Sequence, residues 1–253
     1  MGYVYHFDGT SWQLVTDGKW GALASVAGSA THTWVVGNGV VLRWTGTTFE
    51  AVFHADADIF TSVWAADDSH AWAVGSGDGL VTWNGSAWLA TPILDGSSKP
   101  IPFVDVAGSS ANDVWALSGA SLYHYDGSAW TQKTLPVNAS HVWSEQPGIV
   151  WLTTPLAVYR GDGVTWTKHQ PASGTLFSSL SAYFVDVGGR SPTDVWAAGL
   201  DGLVYRYDGT HWTSMATGAD FLSGDENLGR SRFNATPTKL WLSGMQGLLQ
   251  YRP

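Results

Sequence analysis

The chain has no cysteine among its 253 residues. Disulfide staples, thiolate nucleophiles and Cys-ligated metals are therefore excluded, and the fold must be held by packing and hydrogen bonding. Charge is also scarce. Charged residues make up 13% of the chain, with Lys+Arg 12 against Asp+Glu 21 and a formal net charge of -9. Such a balance repels phosphate backbones and anionic lipid, so nucleic acid is not an expected partner. No apolar run reaches the roughly 20 residues of a membrane-spanning helix, and membrane insertion is not expected. The opening "MGYVYHFDGTSW" lacks the basic, apolar and small-residue zones of a signal peptide, and His6 stands where a myristoylation signal wants Ser or Thr. The expectation is a cytoplasmic protein or, if a leader was removed, a secreted, periplasmic or cell-surface one. No stretch carries a helical period.

What the chain does have is aromatic and glycine residues in a recurring pattern: Trp 16, Gly 30, and 44% hydrophobic residues overall. A chain of 27.1 kDa folded as one body hides about 70% of its unfolded surface, so residues 1–253 are expected to form a single domain. Three segments read almost alike: "YVYHFDGTSW" from Tyr3, "SLYHYDGSAW" from Ser121 and "LVYRYDGTHW" from Leu203. Anchored on the Asp-Gly, six registers align at Asp8, Thr45, Asn84, Asp126, Asp162 and Asp208, each followed by Gly and then by an aromatic residue: Trp12, Phe49, Trp88, Trp130, Trp166 and Trp212. A second Trp recurs at Trp34, Trp72, Trp115, Trp151, Trp196 and Trp241, and an apolar position precedes it at Val26, Val63, Val106, Val142 and Val187, with Phe233 the best match in the sixth copy. Each unit so contains four short β-branched and aromatic segments, a to d, separated by Gly, Asn, Asp and Ser clusters. Tight turns between short strands explain that punctuation.

The turn between c and d resembles the Asp-box of sialidase-like propellers and the closing half of kelch repeats. The whole unit, "DVWAAGLDGLVYRYDGTHW" at 194–212, resembles the Trp-rich propeller repeats of myxobacterial secreted and surface proteins. The resemblance covers nearly the whole chain and implies blade architecture, with the turn Asp in a structural role. Four-stranded antiparallel units stacked about an axis form a β-propeller. Segments a, b and d occur six times and c seven times, because "GLLQYRP" at 247–253 aligns with "GLVYRYD". The expected fold is therefore all-β, a six-bladed β-propeller of four-stranded antiparallel blades whose ring is closed by N- and C-terminal strands. A seven-bladed ring is the alternative.

A feature present in every blade is most simply explained by what every blade must do, so asymmetry is the better guide to a site. Three crossings from d to the next a are long, at residues 91–102, 170–183 and 217–232, and long loops in compact domains commonly carry function. They bring Lys99, His169, Phe177, Asp220, Phe221, Asp225, Glu226 and Arg230 toward one face, joined from b-to-c turns by Asp78 and Asp201. Carboxylates beside Arg and an exposed Phe suit a sugar or a peptide. The expected function is non-catalytic, lectin-like glycan recognition by a monomer, with a protein-interaction scaffold as the alternative and a glycan-active hydrolase or lyase third.

No catalytic residues, cofactor or metal are expected. "HADAD" (54–58) and "SGDEN" (223–227) offer oxygen ligands for Ca²⁺ without the fixed spacing of a known loop. Basic residues two places before the anchor, His6, Arg43, His124, Arg160 and Arg206, are read as stacking on an aromatic ring of the neighbouring blade. Trp64 and Trp143 on strand a are read as filling the axis.

Overall fold

The structure is a computed structural model that describes residues 2–16, 18–77, 79–169, 184–199, 204–215, 232–236, 239–244 and 247–251. Among these residues there is no helix. The first sheet pairs β1 (Tyr5–Phe7) with β2 (Trp12–Leu14). The second has six strands in chain order: β3 (Leu23–Gly28), β4 (Thr33–Trp44), β5 (Phe49–Ala65), β6 (Ala71–Gly75), β7 (Leu80–Trp83) and β8 (Trp88–Ala90). Three four-stranded sheets follow. They are β9 (Asp105–Ser110), β10 (Asp113–Leu117), β11 (Leu122–Tyr125) and β12 (Trp130–Lys133), then β13 (His141–Gln146), β14 (Ile149–Thr154), β15 (Ala157–Gly161) and β16 (Trp166–His169), then β17 (Phe184–Ser191), β18 (Asp194–Gly199), β19 (Val204–Tyr207) and β20 (Trp212–Ser214). A three-stranded sheet ends the chain: β21 (Arg232–Thr236), β22 (Lys239–Gly244) and β23 (Gly247–Tyr251).

The segments a to d are thus strands in the order expected, and neighbours pair antiparallel, as in β13–β14–β15–β16 and β17–β18–β19–β20. The six-stranded sheet departs from one sheet per repeat. Its β4 carries both b and c of the first repeat, and its β5 carries d of the first and a of the second in one strand of 17 residues. The crossing between them is only "HADAD". A chain with so few residues to spare stays extended, and the two repeats become one sheet.

Burial falls from b outward. The b strands β6, β10 and β18 are buried at every position, whereas the d strands β12, β16 and β20 are exposed in their middles. A strand covered on both faces needs apolar residues in succession, and "AWAVG" and "DVWAL" supply them. The chain divides into two compact units, Met1–Ser118 with Tyr125–Trp130, and Gly119–His124 with Thr131–Pro253. The first holds a core of Trp34, Val36, Val41, Phe60, Val63, Trp83 and Trp88. In the second, Trp151, Val158, Phe184, Val187, Val195 and Tyr205 pack together.

Within each unit the b-strand Trp of one repeat sits on the aromatic residues that flank the next repeat's turn. Trp34 meets Trp83 and Trp88 at ring-centroid distances of 4.9 and 5.2 Å. Trp72 meets Tyr125 at 6.2 Å, and Trp151 meets Tyr207 and Trp212 at 5.7 and 6.1 Å. Inclined and edge-on rings at this spacing are worth about 0.5–1.5 kcal/mol per pair beyond the area they bury. The recurring Trp residues are therefore the joints between repeats.

Candidate functional site

Most of the repeated polar residues are used up by the scaffold. In the turn after β1, Asp8 Oδ1 accepts the backbone N–H of Thr10 and of Ser11, both at 2.8 Å, and the Thr10 hydroxyl at 2.7 Å. Asp126, Asp162 and Asp208 do the same in their own turns, and Asn84 does so with its amide oxygen. The following Gly takes positive φ, 103° at Gly9 and 99° at Gly209, a region open to glycine at little cost. These hydrogen bonds hold the Asp8 and Asp126 carboxyls well below the usual range and that of Asp208 at about 2. A carboxylate engaged by its own backbone has little left to offer a ligand.

The basic residues of strand c are similarly engaged. Arg160 donates from Nε and Nη2 to Glu145 at 3.0 and 2.9 Å and lies 5.9 Å over the Trp151 ring. Hydrogen bonding to Glu145 raises its pKa further above the ordinary arginine value. Arg206 donates to Asp194 at 2.7 Å and lies 5.8 Å over Trp196. Burial pushes the Asp194 carboxyl up, but hydrogen bonds from Arg190, Arg206 and the Trp196 indole outweigh it and leave it below the ordinary value. Arg43 pairs with Glu50. The stacking expected for these residues is present with a different partner, the Trp of their own repeat, because Trp151↔Arg160 and Trp196↔Arg206 are direct cross-strand neighbours. His6 stacks on Trp44 at 5.5 Å, a ring of the next repeat, as expected.

Trp64 and Trp143 also belong to the scaffold. A Cβ on Gly108 would lie 2.6 Å from the Trp64 ring, and one on Gly189 would lie 2.9 Å from that of Trp143. The far edge of each indole therefore abuts the a strand of the following repeat, and glycine is what lets it approach.

The end of the sheets where d crosses to a, and b turns to c, is built differently. The described crossing at residues 91–104 is tied down by its backbone. Thr91 N–H donates to Leu80 O at 3.0 Å, Ile101 N–H to Ile93 O at 2.8 Å, Phe103 N–H to Gly75 O at 3.0 Å and Val104 N–H to Leu117 O at 2.7 Å. At its tip Asp95 Oδ1 accepts the N–H of Ser97 and of Lys99, and Leu94 bridges to Pro100. The neighbouring start of strand a is tied to the same end, Ile59 N–H donating to Ser76 Oγ at 3.0 Å. On this fixed backbone Ile59, Leu94 and Val104 are 55%, 52% and 41% exposed.

Of the residues picked from the sequence, Lys99 is exposed on this crossing. His169 ends β16 and packs among Trp151, Tyr207 and Trp212 at 5.0, 5.1 and 6.3 Å. Asp78, Phe177, Asp201, Asp220, Phe221, Asp225, Glu226 and Arg230 lie outside the described residues. Among the described residues no three His, Asp or Glu side chains gather as a metal site. Sequence reasoning missed the buried carboxylates Glu145 and Asp194 and the exposed apolar residues Ile59, Leu94 and Val104. Asp194 had a visible signal, since "DVW" recurs at Asp113 and Asp194. Leu94 and Ile59 had none, because scattered apolar residues in crossings are ordinary.

No protein-family model matches the chain, and no curated protein matches it. Solved structures do. YCF48 bound to a D1 peptide aligns over 97% of this chain and 83% of its own, with a TM-score of 0.71 and 18% identity. The computationally designed Ika8 protein covers 95% and 74%, with a TM-score of 0.63 and 11% identity. YCF48 from Cyanidioschyzon merolae covers 90% and 94%, at 0.50 and 16%. Likeness at this level of identity shows the fold, and that fold is the β-propeller.

Proposed function

We propose that this chain is a non-catalytic propeller that binds a protein partner, taking an extended peptide segment on the crossing end of its sheets. The observation that carries this reading is that Ile59, Leu94 and Val104 are each about half exposed at the crossing end, on a backbone that hydrogen bonds hold in place. Apolar side chains presented on a rigid platform bind without a large ordering cost. The neighbour YCF48, a structure with a bound D1 peptide, supports a peptide over a sugar as the ligand class.

The proposal includes six blades from Trp-rich, Asp-box-like and kelch-like repeats, a count supported by the six copies of segments a, b and d. In the last described sheet the c position is taken by β23, which pairs with β22. To test the function, the full chain is screened against an immobilised peptide library and a glycan array. Peptide binding that weakens at least tenfold in Leu94→Ser, with the unfolding midpoint unchanged, is the expected result. Binding confined to glycans would restore the lectin-like reading and overturn this one.

A further inference from the structure

His169 is the last residue of β16 and reaches from the fourth repeat into the fifth. Its ring lies 5.0 Å from Trp151 of its own sheet and 5.1 Å from Tyr207 of the next. The Trp212 indole Nε1 stands 3.4 Å from its Nδ1. An indole nitrogen can only donate, so Nδ1 must be the acceptor and the proton of the neutral ring sits on Nε2. Protonating Nδ1 would set one N–H against another.

The charged and titratable groups around the ring favour the neutral form. On β15 the cation Arg160 is two residues from Val158, the register partner of His169, and its guanidinium is engaged by Glu145 of β13. On β19 the Tyr207 hydroxyl donates to Gly209 O, Arg206 is held by Asp194 of β18, and Tyr205 is buried. On β16 itself Lys168 points to the opposite face, opposite Tyr159. The described residues of β14 and β20 add no titratable side chain. Near the turn, Asp208 is bound by its own backbone and His211 meets the Thr210 hydroxyl. Aromatic faces attract cations, but the indole donor and the positive charge of Arg160 oppose one here. Burial first, and Arg160 second, push the His169 pKa below the ordinary histidine value.

We infer that His169 is an acid-sensitive clasp between the fourth and fifth repeats, which joins β16 to β20 when neutral and releases them when protonated. The sign follows from linkage. A histidine whose folded pKa lies below its unfolded value, about 6.5, contributes stability that is complete above that value and is lost as pH falls toward the folded one.

The test is an NMR titration of the assigned His169 imidazole in the full chain, with thermal unfolding measured between pH 7 and pH 5. His169 should titrate below the ordinary histidine range, and Trp212→Phe, which removes the indole donor, should move its midpoint up. The unfolding midpoint should fall by several degrees more on acidification in the parent chain than in His169→Gln, whose amide oxygen can accept the same N–H without titrating. If His169→Gln does not fold, the titrations of the parent chain and of Trp212→Phe decide alone. Titration at or above the ordinary value, a midpoint unmoved in Trp212→Phe, or equal acid sensitivity in parent and His169→Gln would overturn the proposal.

Discussion

The joint between the first and second repeats and the joint between the fourth and fifth use the same repeat positions, yet treat their indole nitrogens differently. In the first, Trp34 is fully buried against Trp83 and Trp88, with His32 stacked on it at 5.1 Å and 4°. Trp83 donates to Asp68 O at 3.0 Å, but the buried Nε1 atoms of Trp34 and Trp88 have no hydrogen-bond partner. In the second, the Trp151 indole donates to the fully buried Glu145 carboxylate at 2.6 Å, and Trp212 donates to His169. Aromatic area joins the repeats in both places. In the first, two of the three indoles go without an acceptor; in the second, Trp151 and Trp212 both find side-chain acceptors, and because these are Glu145 and His169 they tie that joint's indoles to charge and to pH.

That contrast can be broken most severely at Glu145. Glu145→Ala leaves the Trp151 indole without an acceptor and Arg160 without its counter-ion. The acid is buried but Arg160 is 35% exposed, so the loss should fall below that of a fully buried pair, at about 2–3 kcal/mol; chemical denaturation should show a lower midpoint, and a loss near zero would mean the carboxylate is incidental. Gly108→Ala and Gly189→Ala probe the glycine-supported Trp on strand a. Each new methyl meets an indole and a backbone carbonyl oxygen, at 2.6 Å from Asp113 O and 2.5 Å from Asp194 O, and overpacking of this kind costs about 1–3 kcal/mol. The smallest effect is the most informative about the joints. Trp34→Phe and Trp151→Phe lose similar apolar area, but only the second strips a donor from a buried carboxylate. The second should be less stable than the first by about 1–3 kcal/mol, and equal losses would show that the Glu145 bond adds nothing.

Much of this was legible in the residues. The turn aspartates, the strand order and the scaffold role of the recurring Trp follow from periodicity, because every blade must solve the same turn and packing problem. The fusion of two repeats in β5 was not, since a five-residue crossing reads as a loop until its backbone is seen to stay extended. The partner of Arg160 was also hidden: Glu145 lies 15 residues away, on a strand whose neighbour β14 sets the register. His169 illustrates the limit on sites. Its place at the edge of a long crossing made it look like a ligand contact, whereas the alternation of β16 turns its ring inward among Trp151, Tyr207 and Trp212.

On the proposed function, the molecule divides into a joint-forming scaffold and a binding end. Measuring peptide affinity and unfolding midpoint together in Leu94→Ser and Trp151→Phe tests that division directly. Leu94→Ser should lose at least tenfold in affinity with its midpoint kept, and Trp151→Phe should lower its midpoint and bind as the parent chain does. Retained affinity in Leu94→Ser together with lost affinity in folded Trp151→Phe would contradict the division.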